Sequence, residues 1–268
     1  MIEEKITELL LPYPSEDDRL VRVYVPRHEE GETFPVIYMT DGQNVFDMAE
    51  GLFGCWKTHE AVRAEKENGF GGAIIVGIHT DDPKHSDPLK RTNDLTPKSI
   101  GELCIPDEVK KMITPSGEVF DDFVVNTVMP VVEEKFPVKK GRNNTAFCGS
   151  SSGGLQTFFT CLSHPDKFCA GGVFSPAFMI YSTEDLSRWI YDKIQQDMPY
   201  LYIYTGAGDD LEKDIYKSVE STYDILMECY PMNLLNEVVI LENKHHESAW
   251  EPVFKDFLHT FLVRRDEF

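Results

Sequence analysis

Thr145-Ala146-Phe147-Cys148-Gly149-Ser150-Ser151-Ser152-Gly153-Gly154-Leu155 is the stretch on which the fold turns. A short apolar run passes through glycine and serine straight into Leu155-Gln156-Thr157-Phe158-Phe159-Thr160-Cys161-Leu162, which carries a helical pattern. A strand, a sharp turn and a helix in that order, with G-x-S-x-G at the turn, is the layout of a nucleophile elbow. The turn lifts a hydroxyl clear of the backbone and aims the next amide and the helix N-terminus at the place where negative charge develops. Only Ser151 has glycine at both −2 and +2. Ser150 would need glycine at Cys148 and Ser152, and Ser152 would need it at Ser150. A flexible Gly/Ser linker has a similar composition, but linkers are not wedged between a β-rich tetrapeptide and an apolar helix.

Outward from the elbow, strand-like runs recur at Leu20–Val25, Pro35–Met39, Gly72–Ile78, Gly171–Phe174, Tyr200–Tyr204 and Glu237–Leu241. Several are nearly continuous apolar runs, as in strands covered by helices on both faces. Helical patterns alternate with them over about Val119–Lys135, Ser152–Ser163, Glu184–Gln195, Glu212–Cys229 and Ala249–Arg264. This alternation predicts one α/β domain over residues 1–268, with a mostly parallel sheet of about eight strands and an antiparallel start made from the first two runs. Thr80–Ile113 is rich in Asp, Pro, Lys and Asn and has little periodicity. It reads as a long irregular connection, either overhanging the open end of the sheet or decorating the surface.

The chain has 26 basic and 46 acidic residues, a net charge of −20. Such a surface argues against nucleic acid and anionic membranes as partners. The first residues, Met1-Ile2-Glu3-Glu4-Lys5-Ile6, lack the features of a signal peptide, and no run is long and apolar enough for a membrane span. The six cysteines form no C-x-x-C pair and no metal-ligand spacing. The expectation is a cytoplasmic protein with reduced thiols. Nothing in the sequence sets the oligomeric state.

A serine becomes nucleophilic when a base takes its proton and a third group holds that base. His164 is placed at the far end of the elbow helix, and His259 lies within the final helix. His245 and His246 follow a strand and precede a helix, where a loop histidine can reach over the sheet edge; the residues alone leave the choice between them open. Tyr204-Thr205-Gly206-Ala207-Gly208-Asp209-Asp210 closes the preceding strand and offers Asp209 as the acid, with Asp210 as the runner-up or a helix cap. The amide of Ser152 is one expected oxyanion donor. The other is the amide of Gln43, in the loop Thr40-Asp41-Gly42-Gln43-Asn44 after a strand.

At these residues the chain resembles the esterase family that groups esterase D, enterochelin-type esterases and the feruloyl and acetyl esterases of carbohydrate esterase family 1. Asp41-Gly42-Gln43-Asn44-Val45-Phe46 is similar to its "DGQN-F" segment, and Gly149–Gly154 to its G-x-S-x-G-G elbow. Ser163-His164-Pro165-Asp166-Lys167-Phe168 and Ser175-Pro176-Ala177 are similar to its "HPD-F" and "SPA" segments, and His245-His246-Glu247-Ser248-Ala249-Trp250 to its "H-x-E-x-x-W" ending. The resemblance covers about Pro35 to Phe261. It implies an α/β-hydrolase fold, Ser151 as nucleophile, His245 as base, and the acid three residues after Gly206, at Asp209, where the family often has glutamate. Glu247 and Trp250 become neighbouring structural positions. It implies no cofactor and no metal.

The expected function is a serine carboxylesterase acting on a small-molecule or oligosaccharide ester, first of all acetyl or feruloyl esters of carbohydrates. Siderophore esters and S-formylglutathione are the alternatives, and a non-catalytic binding protein on the same fold is the alternative of a different class. Asn44, Trp56 and Phe178 are the candidate substrate contacts.

Overall fold

The computed structural model describes residues 1–14, 17–47, 54–80 and 89–268. Among the described residues one eight-stranded sheet runs in the order β1-β2-β4-β3-β5-β6-β7-β8. In chain order, β1 (Lys5–Leu11), β2 (Arg19–Val25) and β3 (Val36–Met39) precede α1 (Thr58–Glu67) and β4 (Ile74–Ile78). The irregular stretch holds two short helices, α2 (Lys90–Asp94) and α3 (Asp107–Lys110), followed by α4 (Gly117–Phe123) and α5 (Met129–Lys135). Then β5 (Thr145–Ser150), α6 (Ser152–Ser163), β6 (Ala170–Phe174), α7 (Thr183–Lys193), β7 (Tyr200–Thr205), α8 (Asp210–Cys229), β8 (Leu235–Val239) and α9 (Glu247–Arg264) alternate strictly.

From β4 through β3, β5, β6 and β7 to β8 every pairing is parallel. The antiparallel start differs from the one expected. Val36–Met39 is parallel to both its neighbours, and the antiparallel partners of β2 are β1 and β4. β1 carries Lys5, Thr7 and Glu8 among its apolar residues and lies at the sheet edge with half its side chains in water, so it lacks the continuous apolar run of a central strand. The expected helix over Val119–Lys135 is interrupted by a wide turn at Val124–Val128. Pro130, just beyond it, has no N–H to offer a regular helical bond.

The two faces of the sheet follow the strand period of two. Val36, Tyr38, Ile74, Val76, Phe147 and Ile203 face a layer that contains Phe120, Val132, Phe158, Leu186, Ile215 and Val219 from α4 to α8. Ile37, Met39, Ile75, Ala146, Tyr202 and Tyr204 face Ala61 and Val62 of α1 and Phe254, Phe257 and Phe261 of α9. Both faces are therefore sealed, and the polar residues with room to act collect at the carboxyl ends of the parallel strands.

The irregular stretch is less loose than its composition suggests. Residues 81–88 lie outside the described residues. From residue 89 on it is pinned: Leu103 bridges to Tyr181, Cys104 N–H donates to Ile180 O at 2.7 Å, and the Tyr181 hydroxyl donates to Pro97 O. No helix among the described residues is long and apolar enough to cross a membrane.

Candidate active site

β5 ends at Ser150 and α6 begins at Ser152, so Ser151 alone makes the turn. Its backbone sits at φ 59°, ψ −125°, a conformation that costs an L-residue roughly 1–3 kcal/mol and persists only when its surroundings enforce it. They do so through three backbone bonds. Ser151 N–H donates to Phe174 O at 3.0 Å, and Ser151 O accepts from Leu155 N–H at 3.0 Å and Ala177 N–H at 3.1 Å. A Cβ on Gly153 would collide with the Thr40 hydroxyl, so only glycine lets α6 start this close to the end of β3. Ser150 is buried, whereas Ser151 and Ser152 are partly exposed. Burial thus sets Ser150 aside, and the turn position separates Ser151 from Ser152, the first residue of α6. Ser152, as the first residue of α6, has no intrahelical acceptor for its N–H.

Three strands along the sheet from β5, His245 lies in the loop after β8. The loop packs down because Gly208 leaves space: a Cβ there would strike the Glu242 and Asn243 carbonyls, and Gly208 N–H donates to Asn243 O at 2.7 Å. The imidazole Nδ1 stands 3.1 Å from Glu212 Oε2. Glu212 is fully buried and the histidine side chain is 13 % exposed. With a carboxylate at Nδ1, the ring carries its proton there and leaves Nε2 as a base. Of the other histidines, His246 Nδ1 pairs with Ser248 Oγ at 2.6 Å, His164 with Asp121 and His259 with Glu65.

Asp209 does not occupy the place expected of it. Its Oδ1 accepts the Glu212 N–H at 2.9 Å, capping α8, and its Oδ2 accepts the His245 backbone N–H at 2.9 Å. Those two backbone donors hold its carboxyl below the usual range. It braces the main chain of both residues, while the imidazole takes Glu212. Asp210 is fully exposed and pairs with Lys213. The signal for Glu212 was present in the sequence: Glu212, Ile215, Val219, Thr222 and Leu226 form one stripe at helical spacing, all buried. A glutamate on the apolar stripe of an amphipathic helix needs a partner.

The remaining bonds to the Glu212 carboxylate come from the Gly206 N–H, which donates to Oε1 at 3.3 Å, and from Ser175, itself held by Trp250; the sequence offered Ser175 and Trp250 only as family positions. Ser175 Oγ donates to Glu212 Oε1 at 2.5 Å and accepts from Trp250 Nε1 at 3.0 Å. The Trp250 ring meets the His245 ring edge-on at 5.0 Å. Ser175 directly follows Phe174, whose carbonyl holds Ser151, so the serine and the histidine–glutamate pair are fixed to one strand end.

On the other side of Ser151, β3 runs into Asp41, a non-glycine residue at φ 55°, and a turn over Gly42–Asn44. The turn's first bond runs from Asn44 N–H to Asp41 O, so the Gln43 N–H lies ahead of the turn's own ladder. Burial would raise the Asp41 carboxyl, but the Arg91 guanidinium and hydrogen bonds from Arg91, Thr80 and Gln43 outweigh it and hold the group low. Asn44 is buried, and its Nδ2 donates to Glu247 Oε1 at 2.6 Å, tying this turn to the start of α9.

Two candidate substrate contacts are corrected. Trp56 is 2 % exposed, stacked on Trp250 at 5.7 Å and edge-on to Phe174 at 5.0 Å. Phe178 is fully buried against Phe158. Both are large apolar rings whose burial stabilises the layers beneath the site, and neither presents a face to solvent.

The profile of the family described as Putative esterase matches residues 15–210. A siderophore triacetylfusarinine C esterase of Aspergillus fumigatus is 33 % identical over 164 residues, 57 % of this chain and 50 % of that protein. An endo-1,4-beta-xylanase/feruloyl esterase of Xylanibacter ruminicola is 26 % identical over 131 residues, 48 % of this chain and 15 % of that protein. The matched stretch thus spans half or less of these curated relatives. Among solved structures, the siderophore hydrolase EstB from Aspergillus nidulans superposes with a TM-score of 0.71 at 19 % identity, covering 99 % of this chain and 97 % of that one. A ferulic acid esterase gives 0.68 at 15 %, covering 98 % and 100 %. At such identities the likeness is one of fold, and it fits the α/β-hydrolase expectation.

Proposed function

This chain belongs to the Putative esterase family, and from that premise we propose that it is a serine ester hydrolase working through an acyl-enzyme. Ser151 Oγ attacks the ester carbonyl while His245 Nε2 takes its proton. Glu212, bonded to Nδ1, keeps the ring in the basic tautomer and stabilises the imidazolium. The N–H groups of Gln43 and Ser152 hold the oxyanion, each such donor being worth about 3 kcal/mol in the transition state. Collapse breaks the ester bond, and the leaving alkoxide takes the proton back from His245. Water, activated by the same histidine, then attacks the acyl-enzyme and releases the acid.

The observation that carries this reading is the buried Glu212 carboxylate on His245 Nδ1, two strands from a serine held on a strained elbow. The proposed substrate is an ester bond of a siderophore, supported by the 33 % identical relative named for that activity. With a net charge of −20, the chain favours a siderophore without net negative charge over an anionic one. Feruloyl or acetyl esters of carbohydrates are the second reading, supported by the relative named as a xylanase/feruloyl esterase. Measuring kcat/KM on an uncharged ester siderophore, a feruloyl sugar ester and an acetylated xylooligosaccharide tests the choice. A siderophore value exceeded by either carbohydrate ester rejects the first reading. No turnover of any of them, nor of p-nitrophenyl acetate, rejects the esterase.

A further inference from the structure

The Arg91 guanidinium stands where the Gln43 turn and the Ser151 elbow meet. Its Nε donates to Asp41 Oδ1 at 2.6 Å and its Nη2 to Asp41 Oδ2 at 2.9 Å, a two-pronged pairing with a buried carboxylate. The same Nη2 lies 3.3 Å from Ser150 O, the carbonyl immediately before the elbow serine. Asp41 also receives the Thr80 hydroxyl at 2.6 Å, the Thr40 hydroxyl at 3.3 Å and Gln43 Nε2 at 3.3 Å. The Gln43 side chain in turn bonds the Thr80 hydroxyl, and its Oε1 accepts the Thr80 N–H, both at 3.4 Å. One cation therefore ties the Asp41 side chain, just past the end of β3, to the last carbonyl of the neighbouring β5, and it arrives from α2, in the irregular stretch.

We infer that Arg91 is a positioning residue: it locks the Gln43 turn to the Ser151 elbow so that the two oxyanion N–H groups converge. The inference rests on the proposed esterase reading. Two physical effects follow. First, Asp41 holds a left-handed backbone that an L-residue does not favour, and the bonds on its carboxylate are what keep it there. Second, without Arg91 the Asp41 charge stands uncompensated beside the point where the oxyanion forms, and like charges repel most strongly where water is excluded. Both effects act on the transition state more than on bound substrate. Lysine cannot reproduce them, because a single ammonium does not span both Asp41 oxygens and the Ser150 carbonyl. The Arg91 side chain is 35 % exposed, so the competing role to be tested is direct contact with an anionic substrate.

The experiment compares wild type, Arg91→Lys and Arg91→Met on p-nitrophenyl acetate, a neutral ester, and measures inhibition by phenylboronic acid, which forms a tetrahedral anionic adduct with an active serine. The expected result in Arg91→Met is a kcat lowered about 10²–10³-fold, the scale of losing one oxyanion donor, with KM changed less than about threefold. Boronate affinity falls in parallel, Arg91→Lys recovers only part, and methylguanidinium in the assay restores part of the Arg91→Met rate. A folded Arg91→Met with wild-type kcat and boronate affinity overturns the inference. So does a loss confined to KM for anionic esters, which would make Arg91 a substrate contact. If Arg91→Met does not fold, Arg91→Met/Asp41→Asn removes the unpaired buried charge, and it must still show the kcat loss. An inactive wild type strikes down the esterase reading itself, whereas an active wild type with an unaffected Arg91→Met strikes down only the role of Arg91.

Discussion

Replacing Glu212 by glutamine and Asp209 by asparagine separates two carboxylates that are three residues apart and bond the same histidine. Glu212→Gln keeps volume and burial, and its carbonyl oxygen can still accept from Ser175 Oγ. It then presents an NH₂ group to His245 Nδ1, where Glu212 Oε2 now stands at 3.1 Å. That favours the tautomer protonated on Nε2, which has no lone pair for the serine proton. The loss in kcat is expected at about 10³–10⁴-fold, the scale seen when a triad acid becomes its amide, or about 4–5.5 kcal/mol of barrier. Asp209→Asn retains one acceptor for the two N–H groups of Glu212 and His245 and loses one charge-assisted bond. Discounted for partial exposure, this costs roughly 1–2 kcal/mol, expected as about a tenfold lower kcat and a Tm lowered by roughly 2–8 °C. Steady-state kinetics on p-nitrophenyl acetate at pH 8 and thermal melts followed by circular dichroism read both effects. If Asp209→Asn loses a thousandfold while Glu212→Gln stays within tenfold, the geometry has been misassigned and Asp209 is the orienting acid.

His79 is buried at the end of β4 with Nε2 unpartnered among the described residues. Burial first, then the nearby Arg22 charge, pushes its pKa down to about 4 from 6.5. The unfolded chain therefore binds the extra proton first. The neutral ring's full contribution, about 3 kcal/mol, is present above pH 6.5 and is lost as the pH falls towards 4. Urea midpoints at pH 7.5 and 4.5 should converge for His79→Leu relative to wild type, and an unchanged difference contradicts this. Trp56→Ala should cost about 3–5 kcal/mol of stability, as large aromatic deletions in cores do. Assayed below its lowered Tm, it should leave KM unaltered across the ester panel, whereas a KM shift would return Trp56 to the pocket.

Much of this arrangement was legible from local rules. The elbow is decided by a glycine spacing that only Ser151 satisfies, and the apolar runs Val36–Met39 and Thr145–Cys148 read as central strands because both their faces are covered. What stayed hidden depended on three-dimensional neighbours. β1 is an edge strand whose polar residues blur its alternation. Trp56 and Phe178 look like ligand-binding rings in a sequence, but their burial is set by tertiary packing, Trp56 against α9 about two hundred residues on and Phe178 against Phe158 of α6. Asp209 satisfies every local requirement of the acid's position, and only the fold shows that Glu212, one helical turn on, is the carboxylate beside the His245 ring while Asp209 takes the backbone N–H. Arg91 carried no signal at all within its polar surroundings. Its meaning comes from a contact with Asp41, fifty residues earlier in the chain.

The central claim is that Ser151 is a nucleophile activated by His245. Intact-mass and peptide analysis after treatment with a fluorophosphonate probe tests it most directly. The expected result is one adduct per chain, on the peptide at Ser151, absent from Ser151→Ala and formed far more slowly in Glu212→Gln. No adduct on the folded wild-type protein, or one that persists in Ser151→Ala, would contradict it.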